Sequence, residues 1–102
     1  MEHSSISTGD TLEMSLSGKF TFADNRSFQP DLEGIGNRLY KRVVINLKEV
    51  SFIDSAALGI LLLIRDRCDK HSTQLLIKNP LGQVKQMFEV SRFSELFTIS
   101  ND

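Results

Sequence analysis

A helical pattern between two short apolar segments constrains the fold more than any other feature. Residues 43–47 (VVINL) and 74–78 (QLLIK) have the length and apolar character of strands buried on both faces of a sheet. Residues 56–70 between them carry the strongest helical pattern of the chain. A strand, a helix and a second strand in this order predict a crossover between parallel strands. The chain is therefore predicted to form an α/β fold.

Strand patterns also occur near both ends of the chain. Residues 11–16 alternate between apolar and polar side chains, which predicts a half-buried strand. The Gly9-Asp10 pair before them predicts a hairpin turn, with residues 5–8 as the partner strand. Residues 97–99 predict a last short strand.

Two more helical regions complete the order of elements. Thr21 is predicted to cap the first region, which extends to Arg38, and Pro30 divides it because proline disrupts the interior of a helix. A second short helix therefore begins at Pro30. The apolar stripe of this region consists of Phe28, Leu32, Ile35 and Leu39. Pro80 is predicted to open the other region, whose core stripe consists of Leu81, Val84, Met87 and Phe88.

The resulting order β-β-α-β-α-β-α-β predicts a mixed, mostly parallel sheet. Its helices are expected mainly on one face, since three helices are few for covering both. The chain of 102 residues fits one domain, residues 1–102. The protein is expected to be cytoplasmic, because it has a single cysteine, Cys68, and no signal-peptide pattern at its start.

Charge and hydropathy exclude two classes of partner. The chain has 12 basic and 13 acidic side chains and no cluster of Lys and Arg, so nucleic acid is not an expected partner. The longest apolar run, residues 56–64, is far shorter than the ~20 residues that cross a bilayer, so no membrane insertion is expected.

Asp54 and Ser55 stand directly before this apolar run. The segment 48–53 before them is predicted to be a loop after a buried strand. This order places a helix N-terminus at the carboxyl end of a strand, where sites of α/β sheets usually lie. A phosphate on Ser55 would be tolerated there, because the positive end of the helix dipole favours negative charge. The fold would stay intact and only its surface would change.

The helix that follows presents two stripes on a helical wheel. The first stripe is expected to face the sheet and consists of Ala57, Leu61, Ile64 and Cys68, flanked by Leu58 and Ile60. The second stripe is expected to be a docking surface and consists of Ser55, Gly59, Leu62 and Asp66, with Leu63 beside it. A simpler interpretation remains open, in which Asp54 only caps the helix, Ser55 fills its first turn and all the leucines are buried.

Residues 43–63 (VVINLKEVSFIDSAALGILLL) resemble the signature of STAS domains, most closely the single-domain bacterial anti-sigma-factor antagonists. The resemblance extends to LSGKF, QLLIKNP and VKQMFEVSRFSELFTI, and so covers most of the chain. It implies that Ser55 is the phosphorylated serine. The partner-binding residues that it and the second stripe imply are Asp54, Ser55, Ala56, Gly59, Leu62, Leu63, Asp66, Thr21 and Asp24.

The resemblance also implies the partners. An anti-sigma factor with a histidine-kinase-like ATP-binding fold would bind the unmodified protein and phosphorylate it, and a serine phosphatase would reset it. ATP and Mg²⁺ would belong to the kinase, so this chain is expected to hold no cofactor. The free protein is expected to be a monomer. The sequence departs from the family pattern at Ala57 and Arg92, where glycine is frequent, and at Thr21, where an acid is frequent and Asp24 follows three residues later.

Two other functions compete with this switch. A hydrolase is disfavoured because the chain has no Gly-x-Ser-x-Gly elbow and because His3 and His71 fall in an expected tail and loop, where histidines are usually surface residues. A constitutive STAS scaffold of a transport complex, or a STAS module for a small ligand, would use the same surface without phosphate. An acid at position 55 would then act only sterically.

Overall fold

Five strands lie in the sheet in the same order as they occur in the chain. The computed structural model describes residues 1–101, so Asp102, the last residue of the predicted domain, lies outside the described part. The strands are β1 (Glu2–Thr8), β2 (Thr11–Phe20), β3 (Arg42–Ile53), β4 (Gln74–Lys78) and β5 (Thr98–Ser100). β1 pairs antiparallel with β2, and all other neighbours are parallel. The predicted mixed, mostly parallel sheet is confirmed.

Three α-helices connect the parallel strands. They are α1 (Gln29–Gly36), α2 (Ser55–Lys70) and α3 (Gly82–Val90), with single 3₁₀ segments over Phe22–Phe28 and Phe93–Glu95. Right-handed crossovers between strands that follow chain order place every helix on the same face of the sheet. Burial in β2 agrees with this, because Leu12, Met14 and Leu16 are buried whereas Glu13 and Ser15 are exposed.

The core lies between this covered face and the helices. The first stripe of α2 is buried throughout, as the helical wheel predicts. Cys68 is part of it, and burial, with a smaller effect of the nearby Asp69 carboxylate, raises the pKa of its thiol to about 11. The cysteine therefore acts as a small apolar side chain of the core.

The segment 48–53, predicted to be a loop, is the second half of β3. It forms a strand because β2 continues alongside it, pairing Lys19 with Phe52 and Phe20 with Ile53. The register between the two strands shifts twice, between Ser15 and Ser17 and between Gly18 and Lys19, so the side-chain alternation of a regular strand is interrupted.

The prediction of strands buried on both faces is correct for only part of the sheet. In β3, residues 43–45 are all buried. In β4 only Ile77 is buried, whereas Leu75 and Leu76 are half-buried. β4 is more open because β5 pairs only with its last three residues, Leu76 to Lys78, and leaves its beginning at the edge of the sheet.

The region between β2 and β3 divides near Pro30, as predicted. The 3₁₀ segment ends at Phe28, and Pro30 lies in the first turn of α1. Leu39 was expected to continue the apolar stripe, and this was wrong, since 59% of it is exposed. The helix has already ended at Gly36, and Arg38 adopts a left-handed conformation with φ of 59° that turns the chain away.

His3 was expected in a polar tail and is instead part of the packed structure. β1 begins at Glu2 and pairs His3 with Leu16, which places the imidazole over the covered face. The ring lies 4.8 Å from that of Phe28, and its Nε2 lies 3.0 Å from an Asp31 carboxylate oxygen. His3 therefore links β1 to α1. The expectation of a surface histidine was wrong for this residue.

The third helix begins two residues later than predicted. Leu81 is the N-cap residue of α3 and is half exposed, so it is not part of the core stripe that Val84 and Phe88 form. Pro80 precedes the helix, and Gly82 begins it with a φ of 53° that favours glycine. Arg92, where the resemblance of the sequence leads us to expect glycine, adopts φ of 58°. Within residues 1–101, no helix has both the length and the apolar character needed to cross a membrane.

Candidate functional site at the start of helix α2

Asp54 fixes the start of α2. Its Oδ1 accepts a hydrogen bond of 2.7 Å from the backbone N–H of Ala57, and its carbonyl oxygen accepts one of 3.2 Å from the N–H of Leu58. Its own N–H donates to the carbonyl oxygen of Phe20 at 3.3 Å, which joins the end of β2 to the start of the helix. The capping interpretation is therefore correct for Asp54. Capping does not exclude a second role, because the residue remains half exposed.

Ser55 is the first residue of α2 and is exposed, as is Ala56 after it. The backbone N–H groups of a first helical turn have no acceptor within the helix, and they form the positive end of the helix dipole. Negative charge is favoured at this end of a helix. The exposed Ser55 hydroxyl lies there and outside the core, while the Asp54 carboxylate already accepts from the N–H of Ala57.

Gln83 of α3 holds the residue immediately before Asp54. Its Oε1 accepts from the N–H of Ile53 at 2.9 Å, and its Nε2 donates to the carbonyl oxygen of Ile53 at 2.9 Å. This contact was not predicted, because the two residues are 30 positions apart and nothing in the local pattern of either segment connects them.

Thr21 precedes the 3₁₀ segment that follows β2, and Asp24 lies in the first turn of that segment. Their role in partner binding stays a prediction. The N–H of Thr21 donates to Asp24 Oδ2 at 2.9 Å, and the N–H of Asp24 donates to the Thr21 carbonyl oxygen at 3.0 Å. The Met1 amino nitrogen lies 3.4 Å from Asp24 Oδ1. Both carboxylate oxygens of Asp24 are thus engaged within the chain, so this residue shapes the loop more than it offers a free charge.

The second stripe of α2 is less apolar at its surface than predicted. Ser55, Gly59 and Asp66 are exposed as expected, and 43% of Leu63 is exposed. Leu62 is instead half-buried and packs against the core. A docking role for Leu62 stays a prediction, with part of the side chain turned toward the core. Leu63 supplies the exposed apolar surface of this stripe.

Three further apolar side chains are exposed at the same edge of the sheet. Phe22 follows β2, Phe52 lies near the end of β3, and Leu81 follows β4, with exposed fractions of 64%, 38% and 50%. We call these three residues the apolar rim. The hydrogen bonds of Asp54 to Phe20 and of Gln83 to Ile53 link the segments that carry the rim to the two residues before Ser55. The rim was not predicted: Leu81 was assigned to the core stripe of α3, and Phe22 and Phe52 were assigned to no surface.

Comparison with known families decides the identity of this arrangement. The family model for the STAS domain matches residues 4–102. The chain belongs to the STAS domain family. The resemblance drawn from residues 43–63 is thereby confirmed. In this chain, Asp54 and Ser55 lie where β3 ends and α2 begins.

Two curated relatives match over most of their lengths. A STAS-domain containing protein of Pseudomonas aeruginosa is 32% identical over 92 residues, which are 90% of both chains. BtrV of Bordetella bronchiseptica, a protein named for a role as an anti-sigma factor antagonist, is 26% identical over 86 residues, covering 84% of this chain and 74% of BtrV.

Among solved structures, the Bacillus anti-sigma factor antagonist SpoIIAA has the same fold. Its unphosphorylated form gives a TM-score of 0.81 with 16% identity, covering 99% of this chain and 89% of SpoIIAA. Its phosphorylated form gives a TM-score of 0.77 at the same identity, covering 99% of this chain and 93% of that one. At this identity the likeness concerns the fold alone.

Proposed function

We propose that this protein is an anti-sigma-factor antagonist, a protein-binding module switched by phosphorylation of Ser55. Unmodified protein binds and sequesters an anti-sigma factor that is also a serine kinase. Phosphorylated protein releases it, and a serine phosphatase restores the binding form. The observation that carries the proposal is the exposure of Ser55 at the first position of a helix that Asp54 caps.

The names of similar proteins support the proposed role as a phosphorylation-switched anti-sigma-factor antagonist. BtrV is named as an antagonist of an anti-sigma factor, and the related fold of SpoIIAA has been solved with and without phosphate. Since the kinase requires ATP, we place the switch in the cytoplasm, and we propose that the free protein is a monomer of one STAS domain. It acts by binding and is not itself an enzyme.

The proposed reaction transfers the terminal phosphoryl group of ATP. The Ser55 oxygen attacks the γ-phosphorus, and a new O–P bond forms while the bond from that phosphorus to the bridging oxygen breaks. ADP leaves, and the hydroxyl proton passes to a base of the kinase, which also holds ATP and Mg²⁺. In the reset step, water hydrolyses the Ser55 phosphate ester, so inorganic phosphate leaves and the hydroxyl is regenerated.

Release of the partner follows from electrostatics and desolvation. A phosphoserine carries a charge of about −1.5 to −2 at neutral pH. A partner packed on the apolar rim and Leu63 would have to strip water from this dianion, and the neighbouring Asp54 would add repulsion. A loss of about 3 kcal/mol of binding free energy lowers the affinity roughly a hundredfold. The switch therefore requires no refolding.

The residues proposed to contact the partner divide into two groups. Asp54, Ser55, Ala56, Gly59, Leu63 and Asp66 are at least partly exposed and would touch it directly. Thr21, Asp24 and Leu62 are partly buried and would shape the surface from behind. The apolar rim is added to the first group.

Capture from a lysate of the source bacterium tests the proposal. The baits are wild type, Ser55→Ala, Ser55→Glu and the matched control Ser94→Glu. Ser94 is exposed, lies before β5, and is not among the residues proposed to contact the partner. We expect wild type, Ser55→Ala and Ser94→Glu to capture one ATP-binding protein, and Ser55→Glu not to capture it. When Mg-ATP is added, this protein should phosphorylate wild type and leave Ser55→Ala unmodified.

Other outcomes would contradict the switch. If Ser55→Glu captures the same proteins as wild type, phosphate-like charge at position 55 does not release the partner. If those proteins are subunits of a transport complex, the constitutive STAS scaffold takes the place of the switch.

A further inference from the structure

The contact between Gln83 and Ile53 ties α3 to the segment that carries Ser55. One side-chain amide satisfies both backbone groups of Ile53, with two hydrogen bonds of 2.9 Å each. The Gln83 amide thus replaces the donor and acceptor that a neighbouring strand would offer to Ile53 at the end of β3. The contact is partly buried, so water competes with it less than at the open surface.

The next residue along the chain is held as firmly. The N–H of Asp54 donates to the end of β2 at Phe20, and the Asp54 carboxylate accepts from Ala57 inside α2. Three elements, α3, β2 and α2, therefore fix the two residues that precede Ser55. Of these connections, only the one through Gln83 is made by a side chain from a distant part of the sequence.

We propose, on the basis of the phosphorylation proposed above, that Gln83 is a positioning residue for Ser55. It acts through Ile53 and Asp54 and holds the serine oxygen where the kinase can align it with the γ-phosphorus of ATP. Transfer requires the reacting atoms at about 3–3.5 Å in a defined direction, so a looser acceptor segment slows the chemical step even when the partner still binds. The first turn of α3 thus belongs to the phosphorylation site.

Substitutions within α3 separate this role from packing. Gln83→Leu keeps most of the side-chain volume and removes both hydrogen bonds. Gln83→Glu keeps an acceptor for the Ile53 N–H but sets a second carboxylate oxygen against the Ile53 carbonyl. Gln86→Leu is the matched control, because Gln86 is exposed on the same helix.

Amide hydrogen exchange measures the local effect without any partner. We expect the Ala57 N–H, which caps onto Asp54, to exchange about tenfold faster in Gln83→Leu than in Gln86→Leu, which corresponds to about 1.4 kcal/mol. The Ile64 N–H in the middle of α2 should keep its protection, which excludes general unfolding as the cause. Equal exchange of the Ala57 N–H in the two variants would overturn the proposal. Gln83→Glu gives the same comparison if Gln83→Leu does not fold.

Steady-state phosphorylation by the captured kinase tests the consequence. With Mg-ATP, we expect kcat for Gln83→Leu to fall about tenfold while KM for the protein substrate changes less than about twofold, and Gln86→Leu to match wild type. A raised KM at unchanged kcat, or no change in either, would overturn the positioning role while wild-type Ser55 still accepts phosphate. Failure of wild type to accept phosphate at Ser55 would instead overturn the proposed function on which this role depends.

Discussion

The cap at Asp54 allows the structural and the functional role of one residue to be measured separately. Replacing Asp54 by alanine removes the acceptor of the 2.7 Å hydrogen bond from the Ala57 N–H. Loss of an N-cap typically costs about 1 kcal/mol, and loss of the charge at the positive end of the dipole adds about 0.3–1 kcal/mol. We therefore expect Asp54→Ala to lower the free energy of unfolding by about 1.5 kcal/mol.

Asparagine at the same position isolates the charge, because its amide oxygen caps a helix about as well as a carboxylate. Asp54→Asn should therefore lose only about 0.5 kcal/mol. Asp66→Ala is the control, since Asp66 is exposed on the same helix and its 3.7 Å contact with Arg65 contributes little. Urea unfolding followed by circular dichroism, at constant m-value, measures all three.

The relative stability of Asp54→Asn and Asp54→Ala tests whether Asp54 caps α2. Equal stability of Asp54→Asn and Asp54→Ala would refute the capping account, because the two differ mainly in the ability to accept from Ala57. Once stability is matched, partner binding by Asp54→Asn reports on the charge alone. We expect a weaker complex, and an unchanged affinity would show that Asp54 is a cap and nothing more.

Two further predictions concern side chains of α2, the leucine pair Leu62 and Leu63 and the buried Cys68. Leu63→Asp should weaken partner binding at least about tenfold in a titration and change the urea midpoint little, because Leu63 is 43% exposed. Leu62→Asp should instead lower the urea midpoint, because Leu62 packs against the core. Cys68, whose thiol pKa is raised by burial from 9.0 to about 11, should resist a thiol reagent until the protein unfolds. The unfolded state releases the thiol proton first, so stability should fall between about pH 9 and pH 11, and a Cys68→Ala variant should lack that part of the fall.

The parts of the fold that could be predicted are those set by local periodicity. The inward stripe of α2 follows from the spacing of Ala57, Leu61 and Ile64, and all three are buried. The division of the first helical region follows from the chemistry of Pro30 alone. The Asp54 and Ser55 pair was found in the same way, because a polar pair before an apolar run predicts a helix N-terminus.

The parts that could not be predicted depend on contacts between distant segments. Residues 48–53 form a strand only because β2 lies beside them, and the register shifts interrupt their alternation. Gln83 is one polar residue among several on α3 until the fold brings it to Ile53. Leu81 matches the spacing of the core stripe, but α3 begins after it, so it lies at the surface.

The apolar segment behind Asp54 and Ser55 explains why the proposed phosphate on Ser55 would act only on the partner. Every large side chain of the first stripe of α2 is committed to the core, and the cap fixes the first turn in one geometry. The added charge on Ser55 therefore has no internal packing to disturb and no loop to refold. Its cost falls almost entirely on the surface that must be desolvated when a partner docks on Leu63 and the apolar rim. Because the acceptor segment is rigid, a phosphate on Ser55 would change the affinity for the partner and not the fold. A switch of this kind requires such a difference in affinity.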